Sequence, residues 1–246
     1  MLEIRTKIAE AIARTGWLSL TVVGAPAPTW RYTVGLTELD LPEVLVAGSA
    51  AYSNDELDAL LQTVADGLRT RTIGADAQGV STDNVEFDLV PVHASWVERL
   101  AIQAVRYYDG REVRVVQVVP SEAWVDVPQT SAGFDVNAEP AWRWLEEKWP
   151  YPCDERTLVL ADRDVLRGNR IDEAIREFEA DGSGSWWSMR IPEEEIPPDE
   201  PMRMVPIGTL LALDPSLEVV LELAAGQFAV RDVGSNNWLV RDIPRT

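Results

Sequence analysis

Apolar positions recur along the chain with two periods, and the switches between them mark out the elements. Ile4, Ile8 and Ile12 repeat every fourth residue, with Arg5, Lys7, Glu10 and Arg14 off that line, so the spacing predicts a first helix ended by Gly16. Three strand-like runs follow: WLSLTVV from Trp17, WRYTVGL from Trp30 and EVLVAG from Glu43. The GAPAP turn separates the first two, and its prolines forbid a continuous ladder there. Ser53 and Glu56 form a capping box, in which each side chain satisfies the other residue's exposed backbone donor. Behind it Leu57, Leu60, Leu61, Val64 and Leu68 share one face of a helix. After a glycine- and threonine-rich loop, VEFDLVPV alternates as a half-buried strand, with Val85, Phe87 and Leu89 on one side. Ser95 and Glu98 suggest a second capping box, opening a helix that buries Val97, Ala101, Val105 and Tyr108. Asp109-Gly110 marks a turn, and VRVVQVVP reads as a mostly buried strand.

From Ser121 to Pro152 the periodicity dissolves. Prolines 128, 140, 150 and 152 punctuate a stretch that carries Trp124, Trp142, Trp144 and Trp149, too aromatic for a flexible linker. It reads as an arm over residues 121–150 packed across the first domain, with a short helix near AWRWLEEKW. Beyond it come the strand TLVLA, the amphipathic stretch IDEAIREFEA with Ile171, Ile175 and Phe178 on one face, and the strand SWWSMRI. An acidic, proline-broken loop, PEEEIPPDEP, precedes IGTLLAL and Asp214-Pro215, an N-cap with proline at the first position of a helix SLEVVLEL. QFAVRD and NWLVRD close the chain as a hairpin. Strands and helices without regular β-α alternation predict an α+β protein in two domains, each a mixed or antiparallel sheet with packed helices. The domains are expected over residues 1–150 and 151–246.

Composition agrees with a folded chain: 46% of residues are hydrophobic and 26% charged. Charge changes the picture more. The net charge is −19, and it is spread: residues 1–150 carry 22 acids and 12 bases, residues 151–246 carry 19 and 10. Such a field repels nucleic-acid backbones and anionic membranes and speeds encounters with basic partners; it also keeps a protein soluble. No apolar run reaches the ~20 residues of a membrane helix, and the N-terminus lacks an apolar signal core, so a cytoplasmic location is expected. The single cysteine, Cys153, fits a reducing compartment.

The groups that carry common chemistries are scarce. His93 is the one histidine, which leaves no Ser-His-Asp triad beyond it and no histidine cluster for a metal; at a strand end before a helix it reads as a partly buried or capping residue, with a general base as the alternative. Cys153 sits among prolines and acids, which raise a thiol pKa. No phosphate-binding glycine motif or HExxH pattern occurs, and no catalytic residue, metal site or cofactor is assigned. Two features could line a polar pocket: Tyr32, Thr33, Gly35 and Thr37 at a strand end, and Arg106, Tyr107 and Gln117 beside apolar runs. The competing reading makes the tyrosines ordinary aromatics at the edge of the core. In the second domain, Trp186, Trp187, Glu193, Glu194, Glu195, Asp199 and Glu200 are candidate partner contacts, since aromatics anchor interfaces.

YTVGLTELDLPEVLVAG, a capped helix, FDLVPV, AVRYYDG and VRVVQVVP together resemble the bacterial domain-of-unknown-function family 4262. The matching motifs are Tyr32–Thr37, Pro42-Glu43 and Gln117–Pro120; where members carry a histidine before the Pro-Glu pair, this chain has Asp40-Leu41. The resemblance implies a fold relationship and no activity. The second half, through Asp-Gly-Ser-Gly-Ser-Trp, Leu-Asp-Pro-Ser-Leu and Gly-Gln-Phe-Ala-Val-Arg-Asp, is similar to the immunity-protein-type family 2185. That resemblance implies a binding role in toxin–immunity systems, where acidic inhibitors meet basic toxins. The expectation is a non-enzymatic acidic binding protein with a basic partner such as a toxin. The alternatives are a small-molecule-binding domain or unfamiliar enzyme, and a DNA mimic.

Overall fold

The computed structural model describes residues 2–48, 50, 52–82, 85–178, 185–191, 202–232 and 235–243. The protein is α+β, with two six-stranded mixed sheets in two compact units. The first unit takes in residues 1–23, 29–123 and 127–139, the second 24–28, 124–126 and 140–246.

In the first unit, α1 (Leu2–Thr15) leads into β1 (Leu18–Val22), β2 (Trp30–Val34), a 3-10 turn (Leu36–Leu39) and β3 (Glu43–Ala47). Then come α2 (Asn54–Thr70), β4 (Val80–Ser81), β5 (Glu86–Pro91), α3 (Ala94–Leu100), α4 (Ile102–Tyr108) and β6 (Val115–Pro120). The sheet order is β1-β2-β3-β6-β5-β4; β3 and β6 run parallel and the other neighbours antiparallel. The two faces of the pleat carry different chemistry. Val44, Val46, Phe87, Leu89, Val116 and Val118 pack against Leu57, Leu60, Leu61, Val64 and Leu68 of α2. The expected capping box starts α2: Glu56 N–H donates to Ser53 Oγ at 3.3 Å, and Ser53 N–H to Glu56 Oε2 at 2.7 Å. Each buried leucine on this face contributes roughly 2 kcal/mol of apolar transfer. On the opposite face, Tyr32, Leu45 and Gln117 lie side by side in register.

Two expectations change here. The helix after β5 is capped by His93, whose Nδ1 accepts from Ser95 N–H at 3.2 Å, and not by a Ser95–Glu98 box. It also breaks at Ala101, leaving Val105 exposed. The Trp30 indole N–H donates to the Leu100 carbonyl at 2.8 Å, an oxygen that an unbroken helix would use internally.

The second unit contains β7 (Leu158–Ala161), α5 (Arg163–Leu166), β8 (Glu173–Phe178), β9 (Ser185–Arg190), β10 (Arg203–Pro206), α6 (Ile207–Leu213), β11 (Gln227–Arg231) and β12 (Trp238–Asp242). The order is β10-β7-β9-β8-β11-β12, with β7 and β9 parallel. IDEAIREFEA, amphipathic at a helical spacing, supplies β8 instead. That strand is hydrogen-bonded on both sides, to β9 and β11, and this long-range pairing overrides the local period. SLEVVLEL forms a 3-10 helix, Pro215–Glu222, capped as expected by Asp214. The short helix near AWRWL is also 3-10, Pro140–Leu145; there Trp142 donates to Asp126 O at 3.1 Å and Trp144 to Gly208 O at 2.7 Å.

Candidate functional site

The motif residues at the end of β2 close around a carboxylate. Gly35 turns the chain with φ +131°, and a Cβ there would lie 2.6 Å from Trp17 Cα and 2.8 Å from the Gly16 carbonyl oxygen, so only glycine fits. The turn aims three donors at Glu43, the first residue of β3 and fully buried. Thr33 Oγ1 donates to Glu43 Oε2 at 2.6 Å; Gly35 N–H and Thr37 N–H donate to Oε1 at 3.1 and 2.9 Å. Tyr108, arriving from α4, donates its hydroxyl to the same Oε1 at 2.7 Å. Thr33 Oγ1 also accepts from Val44 N–H at 2.8 Å, which fixes its own proton toward Glu43. Burial, followed by the adjacent Glu43 carboxylate, pushes the Tyr108 phenol far above its usual range. The cluster is a satisfied anion cage that ties β2, β3 and α4 together. Its geometry holds the fold.

The seven residues expected to line a polar pocket divide accordingly. Thr33, Gly35 and Thr37 meet at Glu43. Tyr32, buried on the face that carries Leu45, hydrogen-bonds Gln103 through both its hydroxyl proton and oxygen, and burial pushes its pKa up to about 12. Gln117 is buried, and its Oε1 accepts from Thr130. Arg106 is exposed on α4, apart from the others. Tyr107 lines a cleft of about 510 Å³ with Arg5, Thr6, Glu38, Tyr108 and Arg111. Both guanidiniums there already face carboxylates: Arg5 meets Asp109 at 3.3 Å and Arg111 meets Glu38 at 3.0 Å. Glu43, the hub, stood in the Pro42-Glu43 motif but not among the expected pocket residues. The available signal was an acid heading EVLVA, a run otherwise apolar on both faces.

The second unit repeats the device with the charge reversed. Arg231, its side chain 2% exposed, pairs with Asp214, approaches Asp172 at 3.8 Å, and donates to Ile171 O and Ser216 Oγ at 2.9 Å each. The Trp238 ring covers its guanidinium at 4.4 Å. The LDPSL and FAVRD segments are thereby joined through Asp214 and Arg231. Trp187 is buried beneath Arg176 at 4.3 Å, and Trp186 is half-buried. Glu193, Glu194, Glu195, Asp199 and Glu200 lie outside the described residues.

His93 is engaged as a helix cap, and its Nδ1 lies 2.9 Å from Ser95 Oγ. Burial pushes the Cys153 thiol up, away from the thiolate. Among the described residues no group of three or more histidine, cysteine or carboxylate side chains is placed to hold a metal ion. No helix among them is long and apolar enough to cross a membrane.

Comparison with known proteins places one part of the chain. Residues 11–124 match the model of a domain of unknown function, DUF4262, which supports the N-terminal resemblance. The match spans β1 to β6 and the whole Glu43 cage. No curated protein and no solved structure matches the chain.

Proposed function

We propose that this chain is a non-enzymatic binding protein, of the immunity or antitoxin kind, that captures a basic protein in the bacterial cytoplasm. The observation that carries the reading is the net charge of −19, divided almost evenly between the two halves of the chain. Two negative units of this size steer a basic partner into encounter and repel anionic surfaces. The polar residues of the sequence motifs support it, since Glu43 and Arg231 engage them internally. The motif resemblance read in residues 151–246, through LDPSL and FAVRD, belongs to the same proposal. The test is affinity capture from source-cell extract at about 50 mM and about 500 mM salt, where the Debye length shrinks several-fold. A basic protein retained in stoichiometric amount at low salt and released at high salt is expected. Capture of no basic protein at low salt refutes the reading.

A second reading rests on the cleft holding Tyr107, Arg5 and Arg111, which has the volume of a small-molecule site. Thermal-shift screening against nucleotides and metabolites tests it, because a ligand selective for the native state raises the melting temperature. No shift across the panel removes it.

A further inference from the structure

A groove of about 530 Å³ crosses the first unit where β3 and β6 begin and β5 ends. Its walls are apolar: Pro91 and Val92 at the exit of β5, Val97 on α3, Val105 on α4 and Val113 before β6. Val105 is 37% exposed, the residue that the break at Ala101 turns outward. The rim carries five charges, which are not equivalent. Arg111 is held by Glu38 at 3.0 Å and by the Thr37 carbonyl at 3.1 Å; Arg114 is held by Asp40 Oδ1 at 2.9 Å. Asp76, Glu98 and Glu112 are exposed and make no hydrogen bond or ion pair within the described residues. The groove therefore offers apolar walls under three uncommitted carboxylates, while its cations are neutralised from elsewhere.

We infer that this groove is the docking site for a basic amphipathic segment of the partner, apolar side chains inside and lysines or arginines at the rim. This rests on the reading of the chain as a capturer of basic proteins and names where capture occurs. Charge selects the occupant. A second copy of the chain also carries −19 and is repelled, as are a nucleic acid and an anionic membrane. A basic segment alone gains both terms: burial of apolar surface at roughly 25 cal/mol per Å² and three ion pairs at the rim.

The probe is a fluorescein-labelled leucine–lysine peptide, with a serine–lysine peptide of equal charge beside it. Anisotropy at physiological salt is expected to show the leucine–lysine peptide bound more tightly by about tenfold or more, the effect of burying at least one apolar side chain. The double variant Glu98→Arg/Glu112→Arg and the groove-blocking Val105→Arg should each weaken it about tenfold. The variant Glu155→Arg/Glu222→Arg, an equal charge change at exposed sites in the second unit, should change it less than about twofold. Far-UV circular dichroism checks that all variants fold. Equal loss in both double variants overturns the groove but leaves the acidic-capture reading standing. Absence of peptide binding overturns the groove; if extract capture also yields no basic protein, the parent reading falls with it. A concentration-dependent dimer abolished by Val105→Arg would make a second copy the occupant and overturn the inference.

Discussion

Glu43→Gln tests the cage most sharply, because it changes one atom's chemistry at nearly constant volume. In the native protein Oε1 receives three donors, from Gly35, Thr37 and Tyr108, and Oε2 receives the Thr33 hydroxyl. A glutamine can keep its carbonyl toward the three donors, but those bonds lose their charge assistance, a loss of about 1 kcal/mol each. Its amide then faces the Thr33 hydroxyl, so a donor replaces the acceptor to which that hydroxyl gives its proton. That mismatch adds roughly 1 kcal/mol. The expected destabilisation is about 4 kcal/mol, within the 5–15 kcal/mol typical of a domain, so the variant should fold. Urea denaturation of the full chain, followed by circular dichroism and tryptophan fluorescence, should show the midpoint lowered by about 1–2 M for m near 2–3 kcal/mol/M. A midpoint unchanged within about 0.2 M would refute the view that the motif residues exist to bind this carboxylate.

Gly35→Ala forces a Cβ to 2.6 Å from Trp17 Cα at φ +131° and should cost at least about 3 kcal/mol, read as the same midpoint shift. Arg231→Ala removes the ion pair to Asp214, while Asp172 keeps Arg170 at 3.1 Å, and should destabilise the second unit by roughly 3 kcal/mol, with Arg231→Lys recovering only part because the stack on Trp238 and the forked contacts are lost. Tyr32 and Tyr108 ionise above the usual 10 when folded, so their contribution is fully present below pH 10 and lost as pH rises through the folded values. Stability should therefore fall from pH 10 toward 12, and absorbance at about 295 nm should show both phenols ionising together with loss of circular dichroism; all tyrosines titrating near pH 10 in a folded protein would contradict it.

Local signals carried much of the fold. The Ser53–Glu56 box and the leucine spacing of α2 act within a few turns, and the structure has both; the alternation of Phe87 and Leu89 likewise reports one buried face. What local patterns could not show were partners distant in sequence. The break at Ala101 depends on an indole 70 residues away, and β8 forms because two strands hold it from either side against its helical spacing. The site followed the same rule. Thr33, Gly35 and Thr37 stood out as a glycine turn flanked by hydroxyls at a strand end and suggested a ligand, yet their partner was Glu43, brought across by the return of β3 along β2. Asp214 and Arg231 met in the same way across 17 residues. A charged residue in a segment buried on both sides is the transferable signal, since it must find its counterpart inside.

The measurement that bears most directly on the function is the association rate of the chain with its captured basic partner as a function of salt. If acidity drives recognition, the association rate falls about tenfold or more between about 50 mM and about 500 mM salt, while dissociation changes little. An association rate that stays level across that range would contradict the account.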